Sequence, residues 1–89
     1  MVEFRRDATG KVIRELRNNK KLTQEVLSGF AGIARSHLAM IESGTKQPNF
    51  ETIWAIANAL ELHPYELVKR IEQETEKLQE NEIKKHTQV

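Results

Sequence analysis

The 89-residue chain contains no cysteine, which removes both a disulfide framework and a thiolate metal site. That agrees with a reducing cytoplasm, the expected location. No apolar run approaches the ~18 residues that span a bilayer, so no membrane partner is expected. The opening "MVEFRRDATG" lacks the apolar core of a secretory signal. Proline is scarce, and both prolines, Pro48 and Pro64, stand at boundaries between patterned segments. Alternation of period two is nearly absent, which argues against strands. His37, His63 and His86 are far apart and none has a second histidine or a cysteine at i+3 or i+4, so no metal is expected. There is no phosphate loop, nucleophile motif or internal repeat, so neither enzyme activity nor a cofactor is expected.

Apolar spacing of three or four dominates instead, which reads as an all-α fold: a bundle of five short helices with an extended C-terminal helix. The length suits one domain, placed at residues 7–70, followed by a charged helical tail over 71–89. The first helix is expected from Asp7, as N-cap, to Asn19, with Ile13 and Leu16 inward. Thr23 is a good cap for a second helix ending near Ala31, and Leu22 with Leu27 fits a hydrophobic staple. Gly32 makes the turn into a third helix, Arg35 to Ser43, which Gly44 closes. Asn49 caps a fourth helix with Ile53, Ile56, Ala57 and Leu60 inward. Pro64 opens the fifth, with Glu66 as its capping-box acid. Past about Glu80 the tail is polar on most sides, and fraying is expected there.

The net charge of +1 hides a gradient. Residues 1–21 carry seven Lys/Arg against three acids, whereas residues 71–89 carry three lysines against five glutamates. An anion-binding front and a solvated tail follow.

Two short helices joined at Gly32 match a helix-turn-helix. At about 100° per residue, Ala34, Leu38 and Ile41 share one side of the third helix. Ser36, Ala39, Met40 and Ser43 lie opposite, with Arg35 at the leading edge. Such a helix can enter a major groove. Arg35, Ser36 and Met40 are the expected base-reading residues, with Arg35 suited to guanine O6 and N7. Thr23 and Gln24, at a helix N-terminus, suit a phosphate. His37, Ser43, Thr45, Lys46, Gln47 and Asn49 complete the expected phosphate rim, and Arg14 or the Arg5/Arg6 arm can add to it.

The segments "IRELR", "LTQEVL", "AGIARSHLAMIESG", "KQPNFETI", "IANAL" and "HPYEL", in that order and spacing over residues 13–67, resemble the Cro/CI-type (XRE) helix-turn-helix family. In size the chain is similar to restriction–modification controllers and lambdoid phage repressor domains. The resemblance implies a lambda-repressor-like fold and binding to a double-stranded DNA operator. It also implies an ion pair between Arg17 and Glu42 beneath the recognition surface, and a Gln24 that contacts phosphate and braces the first recognition-helix residue. Departures are Ala34 where Ser or Thr usually caps, Ser28 in place of alanine, and apolar Val26 and Phe30 where polar residues are usual.

The expected function is sequence-specific transcriptional regulation by a homodimer on a palindromic operator. The dimer contact is expected from the fourth and fifth helices, at Trp54, Leu67, Ile71 and Leu78. Val26 and Phe30 are either covered by the tail or arm, or form a protein-partner surface, and the C-terminal tail is the other candidate site for a protein partner. Two alternatives are an antitoxin-type regulator that also binds a toxin, and an interaction adaptor without DNA binding.

Overall fold

The computed structural model describes residues 3–87, so Gln88 and Val89 of the expected tail, and the His86 side chain, lie outside the described residues. Five helices follow in order: α1 Arg6–Asn19, α2 Gln24–Ala31, α3 Arg35–Glu42, α4 Phe50–Ala59 and α5 Pro64–Thr87. No strand occurs among the described residues, and none of their helices is long and apolar enough to cross a membrane.

The inward positions of all five helices meet in one core. Ile13, Leu27, Leu38, Ile41, Ile56 and Leu67 are completely buried, each contributing about 1.5–3 kcal/mol. α1 packs on α3 and α5, α2 on α3 and α4, and α4 on α5. At Gly10 the backbones of α1 and α3 come so close that only a hydrogen fits between them.

Helix entries are satisfied locally. Thr23 accepts from the Val26 N–H at 3.1 Å, and Asn49 from the Thr52 N–H at 2.8 Å. Glu66 accepts from the His63 N–H at 2.9 Å, completing half a capping box where histidine offers no cap of its own. α1 departs from expectation. It starts at Arg6 behind Arg5, and Asp7 sits in the first turn, because the Arg5 guanidinium holds its carboxylate at 3.0 and 3.2 Å.

Helix exits repeat one device. After α1, α2 and α4 the chain turns through a left-handed residue: Lys21 (φ 58°), Gly32 (φ 70°) and Glu61 (φ 61°). The next N–H then reaches back to the last turn, from Leu22 to Arg17 O, Ile33 to Ser28 O and Leu62 to Ala57 O. These are Schellman closures, and each following apolar residue packs on the core. Glycine adopts this conformation freely, but lysine and glutamate do so at a steric cost. Lys21→Gly is therefore expected to stabilise the fold by about 0.5–1 kcal/mol, read as a higher urea midpoint with unchanged m.

α5 continues past Glu80, where fraying is expected, to Thr87. Its inner side is tied down by buried Ile71, Glu74 and Thr75 and by half-buried Leu78. Lys11 meets Glu74 at 3.0 Å, and Arg5 meets Glu82 at 2.7 Å.

Candidate nucleic-acid interface

α3 is short, and its position is set from below. Leu38 and Ile41 are fully buried, while Arg35 and Ser36 are exposed and His37 and Met40 half-buried. Ala34 occupies the N-cap with no side-chain bond, so the first turn of α3 lacks the support that Thr23 gives α2. Ser28, at the contact between the two helices, is buried and returns its hydroxyl to the Glu25 carbonyl at 3.0 Å.

The last residue of α3 is the hub of the site. The Glu42 side chain is wholly buried, and Arg17 grips it with both arms of its guanidinium, at 2.7 and 2.9 Å. Arg17 also donates to the Leu22 carbonyl at 2.8 Å, so one side chain joins α1, the exit of α1 and α3. Gln24 donates to the same carboxylate at 3.1 Å. Arg14 lies 3.6 Å from it and reaches the Glu42 carbonyl at 3.4 Å. Burial works to raise the Glu42 pKa. Hydrogen bonds from Arg17 and Gln24, with the charges of Arg17 and Arg14, outweigh it and hold the carboxyl below its ordinary value.

The rim residues divide into those already engaged and those open. Thr23 and Asn49 are exposed but spend one side-chain oxygen each on a cap. Ser43 donates to the Met40 carbonyl at 3.0 Å and lies 2.8 Å from the Thr45 hydroxyl, which stiffens the exit of α3. Lys46 is exposed in the following loop. Gln47 is turned inward, its amide donating to the Arg6 carbonyl at 2.8 Å, so it ties the loop to α1 and has that amide committed away from a ligand.

The residues expected to pair two copies are placed differently from one another. Leu67 and Ile71 are buried in their own core, and Leu78 is half-buried against it. Trp54 is 50% exposed and sits 6.0 Å from the ring of Phe50. Sequence reasoning passed over its companions Phe50, Tyr65 and Val68, all exposed, which with Trp54, His63 and Pro64 line an apolar hollow between α4 and α5. The available signal was the i, i+4 pair of Phe50 and Trp54 on the outer side of α4. Val26 and Phe30 are also open, at 41% and 67% exposure, and among the described residues neither tail nor arm covers them. Among the described residues no three His, Asp or Glu side chains gather as metal ligands.

A family model described as helix-turn-helix matches residues 13–67. An HTH-type transcriptional regulator of Sinorhizobium fredii is 36% identical over 50 residues, covering 56% of this chain and 26% of the relative. The immunity repressor protein of Bacillus phage phi105 is 41% identical over 51 residues, covering 57% and 35% respectively. The chain thus spans only about a quarter to a third of the length of these two relatives. Among solved structures, the restriction-modification controller protein C.AhdI from Aeromonas hydrophila superposes with a TM-score of 0.67 at 35% identity. That match covers 70% of this chain and 94% of the controller.

Proposed function

The chain belongs to the XRE-type helix-turn-helix family of DNA-binding transcriptional regulators, and from that premise we propose that it acts in the cytoplasm as a homodimer on a palindromic operator. α3 enters the major groove, with Arg35, Ser36 and Met40 toward the bases. Thr23, Gln24, Thr45 and Lys46 hold the flanking phosphates, with His37, Ser43 and Asn49 at the edge. The observation that carries this reading is the buried Arg17–Glu42 clamp beneath a helix whose leading residues, Arg35 and Ser36, are exposed. A helix anchored from below that presents a polar leading edge outward is what direct readout needs.

Pairing through the Phe50, Trp54, Tyr65 and Val68 face follows from its exposure, since Leu67 and Ile71 are consumed by the core. A contiguous exposed apolar face of this kind marks an interaction surface, and here we assign a second copy to it. The repressor among the relatives favours repression as the outcome of binding. Selection of bound fragments from random duplex DNA is expected to recover an inverted repeat with half-sites about 34 Å apart. Recovery of no common sequence at moderate salt would contradict this function.

A further inference from the structure

The basic N-terminal arm lies beside the rim of the proposed interface. Gln47 binds the Arg6 carbonyl at 2.8 Å, and a side chain added at Gly44 would come within 3.9 Å of the Asp7 Cα. The start of α1 therefore sits against the loop that carries Thr45 and Lys46. Arg5, however, is already engaged. Its side chain is 24% exposed, and its guanidinium is shared between Asp7 and Glu82. Asp7 belongs to the first turn of α1 and travels with the arm. Glu82 comes from the outer end of α5, beyond the buried Glu74 and Thr75 that fasten the inner end. The side chains of residues 80–85 are exposed.

We propose that Glu82 and a DNA backbone phosphate compete for Arg5, so that Glu82 on the outer end of α5 is an intramolecular brake on DNA binding. The idea rests on the DNA-binding function proposed above. A guanidinium offers the same planar fork of donors to a carboxylate and to a phosphate. The Arg5–Glu82 contact is made by a carboxylate that is itself 58% exposed, and ion pairs of that kind are weak enough to exchange. Moving Arg5 to the duplex displaces a condensed counterion, which favours the exchange as salt falls. In the free protein Arg5 holds the end of α5. In the complex it holds a phosphate, and Glu82 is released.

The test is a double-mutant cycle on binding to a short mixed-sequence duplex, because a phosphate contact is independent of sequence. Glu82→Gln is expected to tighten binding about two- to fivefold at low salt, with the gain shrinking as salt screens the pair. Arg5→Gln is expected to weaken binding and to lower the slope of log K against log salt by about 0.9 per protomer. With Arg5→Gln in place, Glu82→Gln is expected to change nothing. An equal gain in both backgrounds would reduce the effect to general charge repulsion and overturn the proposal, as would no gain in either. Failure of the wild type to bind any duplex would sink the DNA-binding function itself. The latch has its own readout in the free protein: Arg5→Gln should speed amide exchange at residues 80–85 without altering residues 64–75. Unchanged exchange there overturns the latch.

Discussion

Alanine at position 10 is expected to destabilise the protein by about 3 kcal/mol or more, although alanine in mid-helix normally adds ~1 kcal/mol over glycine. The two effects have opposite signs, so the measurement is diagnostic. A Cβ at this position would run into the Ile41 carbonyl oxygen, and would sit 2.5 Å from the Glu42 carbonyl oxygen and 2.8 Å from its carbon. All three atoms are backbone, so no side chain can rotate away. The conflict is relieved only by separating α1 from α3. That shift would loosen Ile13 and Ile41 and pull Arg17 away from Glu42. Thermal unfolding at fixed protein concentration should show Tm lower by about 12 °C or more. A variant as stable as the wild type would mean that α1 and α3 are not in backbone contact.

The second large effect is at the buried ion pair. Arg17→Ala leaves the Glu42 carboxylate inside the protein with only Gln24 and the more distant Arg14 nearby, and is expected to cost about 3–5 kcal/mol. Removing both partners should cost less than removing arginine alone, because the penalty is mainly that of an uncompensated buried charge. Arg17→Lys should fall between, since an ammonium cannot reproduce the two-armed grip or easily keep the bond to the Leu22 carbonyl. The pH dependence has a definite sign. The Glu42 pKa is depressed below 4.5 in the folded state, so the unfolded chain takes up its proton first as pH falls. The stability that this group contributes is whole above pH 4.5 and is lost as pH drops through the folded-state value. In Arg17→Ala, burial dominates and the dependence reverses, with acid relieving part of the loss. Urea titrations between pH 7 and 3 separate the two profiles.

Both predictions concern how α3 is held, and they differ in how far the sequence reveals them. The caps at Thr23 and Asn49, the turn at Gly32 and the start at Pro64 were legible because each needs a particular side chain at a particular place. The core positions were legible from their spacing, as was the exposed leading edge of α3. Gly10 was not singled out, although an unexplained mid-helix glycine is itself a sign of a close neighbour. The left-handed turns at Lys21 and Glu61 were hidden because tertiary packing, not residue type, imposes them. Leu67 and Ile71 show a different limit. An apolar stripe on a helix looks the same whether it faces the chain's own core or a second copy, and only the packing of α1 and α4 around α5 separates the two. Gln47 was ambiguous in the same way, being a polar loop residue whose amide faces inward to the Arg6 carbonyl.

The central claim is that α3 reads DNA sequence and that Arg35 is its leading contact. The most direct measurement compares wild type with Arg35→Ala on the duplex recovered by selection and on a scrambled duplex of the same length and salt. Loss of about 1–3 kcal/mol on the selected site, with much less change on the scrambled one, is the predicted result. An equal loss on both duplexes would make Arg35 a phosphate contact, and no loss on either would place base recognition away from the start of α3; each contradicts the account.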